Sequence, residues 1–537
     1  MLIQPRAWTG LYCRLSWAVE HIDAFIADTL APLLQQYVEA GRVTDWYYLR
    51  YWETGPHLRI RLSGASPDTV AELAARLREL VANAEFPVLE LDPSAYYAGI
   101  GAPEDTVWRA HGEVWQASYE PETERYGGPA ALPVAEQVFC RSTEVAVAVL
   151  RAGRSAGTKL TAAIELAMIT ARALDLDRAG AASWLRSMGA SWRRVREPAP
   201  APGIESHLAA EHLLATRGPM IAQRWAREPT GASAYWLEQV RVAHGKLDAE
   251  PAGRWLGVWA SQLHMLFNRL GITPADERMI CWLVASAVLS PAGAPAMHEG
   301  DTDQRYLEAS KFRPGRADQY PRKHEPRQTE PLWWSEPIAL PDPVEPSATL
   351  AQALAARQTS RGADLTGPLT SAQLASLLWT AFGGQTRHRP FPSAGASYLS
   401  RLRLIATRVD GLAPGTYQVD EAQRTLRLLG PAPSIADLES TSMWFGTAGG
   451  TELADVPVVL ALSVRLADLR ETYGARALRF AFAEAGHVAQ NLELVAAAMS
   501  LPMGIIGGFY DDVAHDVFGL DGVSEVLVYL LPVGGSH

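Results

Sequence analysis

The sharpest pattern in the chain has a period of two. From His57 to Leu62, the apolar Leu58, Ile60 and Leu62 alternate with His57, Arg59 and Arg61. That alternation predicts a strand with one apolar face and one cationic face. "DWYYLRYWE" precedes it across a Gly55-Pro56 turn, so the two segments predict a hairpin. The pattern then changes to a period of three to four. "PDTVAELAARLRELVANAEF" predicts an amphipathic helix with Asp68 near its start. "GTKLTAAIELAMITARAL" and "RWLGVWASQLHMLFNRLG" predict further helices, the second closed by Gly271 as its C-cap.

Periodicity weakens after residue 295. The stretch 296–347 is polar and proline-rich, and it reads as a linker. Trp333 and Trp334 are unusual in a free linker, so they are expected to dock onto a domain. Patterning resumes at residue 348. "SAQLASLLWTAFGG" predicts a helix, "LRLIATRV" and "VPVVLALSVR" predict strands, "RFAFAEAGHVAQNLELVAAAMSL" a long buried helix, and "EVLVYLLPVG" a last strand. The expected organisation is a domain over 1–295, a linker over 296–347 and a second domain over 348–537. Both domains are expected to be of the α+β class.

Composition narrows the function classes. The 537 residues are 48% hydrophobic, enough for two sizeable cores. The net charge of −11 argues against nonspecific nucleic-acid binding. No run approaches the ~20 apolar residues of a membrane span, and no signal-peptide pattern opens the chain, so a cytoplasmic protein is expected. The three cysteines, Cys13, Cys140 and Cys281, are far apart and form no metal or disulfide pattern. Only four lysines accompany the many arginines, so an isolated arginine carries little information, whereas arginines at set spacing carry more.

Three stretches of the first domain carry candidate chemistry. Arg59 and Arg61 form either a solvated strand face or an anion site. Glu122 and Arg125 stand three apart in "YEPETERYGG", as an ordinary ion pair or as part of a site. His264 lies among apolar residues in "HMLFNRL", as a core histidine or a catalyst. Together, in order and separation, "YWETGPHLRIRL", "ETERYGG" and "HMLFNRL" resemble the glutamate-elimination domain of class I lanthipeptide dehydratases. That domain also occurs as a split unit in thiopeptide pathways. The resemblance implies that Ser or Thr esterified through the glutamate γ-carboxyl loses its Cα proton and then glutamate, giving a dehydroamino acid. A developing enolate needs fixed positive charge, and a glutamyl carboxylate suits an arginine clamp. By resemblance, Arg59, Arg61 and Arg125 bind these anions, Glu122 orients Arg125, and His264 is the general acid/base. The sequence does not say which group takes the α-proton. Glutamylation is expected from a separate glutamyl-tRNA-dependent transferase. The related pyridine synthases, which perform a formal cycloaddition, are the rival reading.

In the second domain, "ARQTSRGADL", "FPSAGASYL" and "GIIGGFYDD" are weak signals singly. With the Glu-Ala-Gly-His-x-x-Gln-Asn helix they resemble nitroreductase-like flavin enzymes, and among those the azoline dehydrogenases of peptide natural-product clusters. The resemblance implies bound FMN, oxidation of azolines to azoles, and a homodimer through the flavin domain. It assigns Arg357, Gln358, Thr359 and Arg361 to the phosphate and ribityl chain. Ser393 and Gly395 are assigned near the flavin ring, with Gly507 and Gly508 on another side. The family's Lys-Tyr pair is altered here: Tyr473 is kept, Thr472 replaces the lysine, and no lysine follows Lys323. Arg470 or Arg476 is expected to assist Tyr473 if it acts alone.

The two halves together resemble the fused enzymes of lactazole-type thiopeptide clusters. The implied partners are a ribosomally made precursor peptide, the glutamyl transferase and a cyclodehydratase. A precursor-binding scaffold with an inactive flavin domain is the non-enzyme alternative.

Overall fold

A computed structural model of the chain describes residues 7–97, 107–191, 203–247, 252–289, 306–307, 310–311, 335–383 and 389–535. Trp333 and Trp334 lie outside the described residues. The chain divides into two compact units. The first contains Met1–Met188 and Ala209–Ala292, the second Gly293–His537, and short pieces of 189–208 are divided between them. Mixed helix and strand, as expected, is found in both.

The first unit is built on a four-stranded antiparallel sheet. Its strands are β1 (Trp8–Arg14), β2 (Asp45–Tyr51), β3 (His57–Ser63) and β4 (Val114–Ala117), in the order β2-β3-β1-β4. The predicted hairpin is β2 and β3, with Tyr51 opposite His57. β3 is therefore interior to the sheet. Leu58, Ile60 and Leu62 are buried, as a strand with one core face requires. The helix Pro67–Ala82 packs on β1 and β4. Ser66 caps it by accepting from the Thr69 N–H, a contact worth about 1 kcal/mol in such positions.

The helices Leu132–Ala152 and Ala252–Leu270 pack on β2 and on each other. Gly271 ends the second at φ +71°, with its N–H bonded to the Asn268 carbonyl, as the C-cap expectation had it. Asn268 also pairs its side-chain amide with the N–H and C=O of Arg50. That satisfies an edge strand whose backbone groups would otherwise be unpaired. Buried Asp23 binds Arg50 at 2.5 Å and Lys159 at 2.6 Å, tying β2 to the helix Ala156–Ala173.

The second unit is built on a six-stranded antiparallel sheet. In spatial order its strands are Glu525–Val533, Val458–Arg465, Ser400–Ala406, Gly415–Asp420, Thr425–Gly430 and Pro337–Ala339. Within the proline-rich stretch, Pro337–Ala339 thus adds an edge strand. Val458–Arg465 is apolar almost throughout because both its faces are covered. Val458, Leu460, Leu462 and Val464 join one core, which contains the helices Ser371–Ala381 and Ala477–Ala498. Val459 and Ala461 join the core on the other face, with the helix Asp511–Phe518. The long helix Ala477–Ala498, expected to be buried, buries one face, whereas Phe482 on it is exposed.

Candidate functional site

On β3 the cationic face is not a solvated one. His57 and Arg61 are buried and Arg59 is half-buried. The register explains the arrangement. β1 sets Tyr12 opposite Arg59 and Gly10 opposite Arg61, while β4 sets Trp115 opposite Tyr12. All of these side chains share one sheet face, since alternate residues point the same way.

Each of the three groups has different partners. The His57 Nδ1 lies 2.9 Å from the Gly55 carbonyl, and its Nε2 accepts from the Arg59 Nε at 3.2 Å. These two bonds together fit a neutral imidazole with its proton on Nδ1. Burial, then the neighbouring guanidinium charges, lower its pKa to about 4, against the opposing effect of the Gly55 bond. The face therefore carries two fixed charges, not three. Arg59 is paired with Glu53 at 2.5 Å, and its guanidinium lies 3.3 Å from the Tyr51 ring centroid. Arg61 differs. It donates to the Tyr12 hydroxyl at 2.7 Å and to the Ser118 carbonyl at 3.3 Å, both neutral, and it has no carboxylate partner among the described residues.

Room for Arg61 comes from Gly10. A Cβ there would lie 2.0 Å from the Arg61 Nη1, so a larger residue would displace the guanidinium. Gly10, Tyr12, Tyr51 and Trp115 were not singled out from the sequence. Their signal was the same period-two alternation on β1, β2 and β4, legible only once the strand pairing is known.

His57 makes folding stability depend on pH. The unfolded chain takes up this proton near pH 6.5, the folded chain only near pH 4. Between those values the unfolded state binds more protons, so stability falls as pH drops through the window and is complete above it. The expected contribution is on the order of 3 kcal/mol. Urea unfolding of the wild type and His57→Gln at pH 7 and pH 4.5 checks this: the difference between the two proteins should shrink at the lower pH.

The Glu122–Arg125 pair forms at 2.9 Å, in an exposed turn between β4 and the helix Leu132–Ala152. Arg125 also donates to Ser261 at 3.3 Å, one turn before His264 on the helix Ala252–Leu270. The fold holds this turn tightly. Gly127 sits at φ +90°, and a Cβ there would lie 2.6 Å from the Trp255 ring. His264 is half-buried, with Nδ1 2.8 Å from the Oε2 of buried Glu277. A carboxylate at Nδ1 fixes the orientation and tautomer of the ring. Glu277 was missed, because it lies on the next helix, Pro274–Leu289. Ser118, which accepts from Arg61, leads along the chain into the turn that carries Arg125, and Arg125 contacts Ser261 on the His264 helix.

In the second unit a cavity of about 350 Å³ is lined by Thr359, Arg361, Trp444, Gly507 and Gly508, together with Gly449, Gly450 and Gly504. The Arg361 guanidinium lies 5.7 Å from the Trp444 ring centroid. Just before it in sequence, Arg357 approaches Glu493 at 3.5 Å, and the Thr359 hydroxyl donates to the same carboxylate at 3.3 Å. Gln358 is exposed beside them. Backbone without side chains lets a flat ring approach closely, and guanidinium with hydroxyl suits a phosphate. This cavity therefore fits FMN in the chemistry of its lining. Trp444 was not expected there.

Ser393 and Gly395 do not line this cavity and form a second group instead. Ser393 accepts from the Tyr398 N–H at 2.8 Å. Gly395 has φ +60°, and a Cβ there would lie 2.3 Å from the Tyr473 hydroxyl oxygen. Ala396 and Tyr398 also have positive φ, and such strain in non-glycine residues persists only where surrounding structure enforces it. Arg470 donates instead to the Val523 carbonyl at 3.4 Å and Arg476 to the Ser310 carbonyl at 3.2 Å. Among the described residues no metal-binding cluster occurs, and no helix is long and apolar enough to cross a membrane.

Comparison with known proteins matches both units to families. Residues 11–288 match the lantibiotic biosynthesis dehydratase C-terminal family, and residues 354–535 match the nitroreductase family. A protein of Methanocaldococcus jannaschii named for the nitroreductases is 30% identical over 175 residues, covering 31% of this chain and 81% of that protein. Among solved structures, the pyridine synthase TbtD from thiomuracin biosynthesis is 19% identical. It aligns over 53% of this chain and 99% of its own, with a TM-score of 0.42. The tRNA-dependent lantibiotic dehydratase MibB from Microbispora sp. 107891 is 22% identical over 53% of this chain, with a TM-score of 0.37. The chain spans 29% of MibB. It spans 49% of a nitroreductase-like protein from Anabaena variabilis, which is 21% identical over 46% of this chain with a TM-score of 0.38.

Proposed function

We propose, for a chain that belongs through residues 11–288 to the lantibiotic biosynthesis dehydratase C-terminal family and through residues 354–535 to the nitroreductase family, a bifunctional enzyme that modifies a ribosomally made peptide. The first unit eliminates glutamate from glutamylated Ser or Thr. The second oxidises azolines to azoles.

The observation that carries the first activity is Arg61, buried and, among the described residues, without a carboxylate partner. Burying an uncompensated guanidinium is costly, and an anionic ligand offsets that cost. The glutamyl α-carboxylate, or the oxygen of the developing enolate, supplies the missing charge. Arg59, already compensated by Glu53, shapes the site more than it charges it. Arg125 adds charge from the exposed turn, oriented by Glu122. His264, held by Glu277, is a candidate general acid/base of the site.

For the second activity, Arg357, Thr359 and Arg361 would hold the phosphate of FMN, with Gln358 near the ribityl chain. The glycines at 507 and 508 would admit the ring. FMN held there would supply the oxidant for the azoline ring. Tyr473, set against Gly395, is the residue for the ring Cα proton. We place the Ser393–Gly395 turn near the flavin once a second copy completes the site. The exposed Leu350, Leu354 and Phe482, on two helices that pack together, support a homodimer through this unit. A separate glutamyl transferase and a cyclodehydratase would supply the two substrates.

The deciding experiment gives purified protein a γ-glutamyl serine peptide and, separately, a thiazoline peptide. Loss of glutamate from the first and of two hydrogens per ring from the second is expected, with flavin absorbance in the preparation. An ester that persists would remove the elimination reading. Macrocycle formation from a dehydrated peptide would replace it with the pyridine-synthase one.

A further inference from the structure

We propose that Tyr12 is the acid–base group that takes the Cα proton at the arginine face, an inference that rests on the elimination reading above. Tyr12 lies on β1 between the two arginines, with each guanidinium carbon 5.0 Å from its ring centroid. Its ring stacks on His57 at 5.4 Å and meets Trp115 edge-on at 5.5 Å. Its oxygen accepts from the Arg61 Nη2 at 2.7 Å. Among the described residues its own O–H donates to no acceptor. A phenol oxygen bonded by a permanent cation, with its proton committed nowhere, is arranged to transfer that proton rather than to hold a structure together.

Placement supports the assignment. Tyr12 is half-buried, so a substrate can reach it. It bonds the same guanidinium whose charge awaits an anion. Among the described residues, the charged and titratable groups in contact with it are Arg59, Arg61 and neutral His57, with Glu53 one step behind Arg59. None of them is an unpaired carboxylate that would oppose a negative phenolate.

The step balances without a further reactant. The phenolate oxygen takes the Cα proton. The C–H electron pair forms the Cα=Cβ bond, and the Cβ–O bond breaks with its pair leaving on the γ-carboxylate of glutamate. The proton on Tyr12 then passes to water. His264 is left to serve the departing carboxylate.

The test uses the full chain and a synthetic peptide with one γ-glutamyl serine ester. If the wild type leaves the ester intact, the elimination reading itself fails. If the wild type is active, Tyr12→Phe is expected to lower kcat by about 100-fold or more, with KM little changed. Replacement of Tyr12 by difluorotyrosine should keep activity and move the kcat–pH profile to lower pH. That second readout stands even if Tyr12→Phe fails to fold. A Tyr12→Phe enzyme with wild-type kcat, an effect on KM alone, or a fluorotyrosine profile that does not move would overturn the assignment while leaving elimination in place.

Discussion

Arg61→Ala is expected to lower kcat/KM for glutamate elimination by about 10²- to 10³-fold, the cost of removing a donor aimed at developing charge. Loss of the glutamyl ester by mass spectrometry measures it. The effect should exceed that of Arg59→Ala, because Glu53 already neutralises Arg59 at 2.5 Å, whereas among the described residues Arg61 hydrogen-bonds only the neutral Tyr12 and Ser118. Arg61→Lys should rescue poorly, since an ammonium is a point charge and cannot span two partners with a planar fork.

Gly10→Ala offers a check that leaves every charge in place. Its methyl would enter the 2.0 Å position beside Nη1 and push the guanidinium off its partners. Its loss of activity should follow that of Arg61→Ala. Oxidation at the other unit should be untouched in all four variants, which separates a local effect from unfolding.

Tyr473→Phe is expected to retain bound flavin and lose azoline oxidation by about 10²- to 10⁴-fold, the range for a removed acid–base group. The hydroxyl sits against Gly395, where a Cβ would lie 2.3 Å away. Gly395→Ala should therefore displace it, and the φ of +60° adds strain for any side chain. Arg361→Ala should behave in the opposite way. A charge-assisted contact to phosphate is worth about 1.5–3 kcal/mol, so its loss should weaken FMN binding by about 10- to 100-fold. Absorbance of the purified protein separates the two variants: a coloured, inactive enzyme for Tyr473→Phe and a pale one for Arg361→Ala. A coloured Tyr473→Phe enzyme that still oxidises would mean that Tyr473 is not the base, which would bear directly on Thr472 at the usual lysine position.

Much of this protein was legible in one dimension. The alternation at 57–62 predicted β3 and its two faces, because pleat geometry makes side-chain direction a function of residue parity. Helix periodicity and Gly271 predicted the helix that carries His264. Three spaced motifs pointed to the family of each unit. What the pattern left open was whether the arginine face is solvated. Sheet order answered that. β3 is interior, and β1, β2 and β4 set Tyr12, Tyr51 and Trp115 on the same face as the arginines.

Tertiary structure also decided which arginine is compensated. Glu53 is close in sequence to both Arg59 and Arg61, yet it reaches only the first. The partners that define the sites arrive from distant segments: Tyr12 for Arg61, Glu277 for His264, Trp444 for Arg361 and Gly395 for Tyr473. Sequence determined the faces because local geometry depends only on neighbours along the chain. Only the fold decided charge and proton chemistry, because burial and hydrogen bonding depend on neighbours in space.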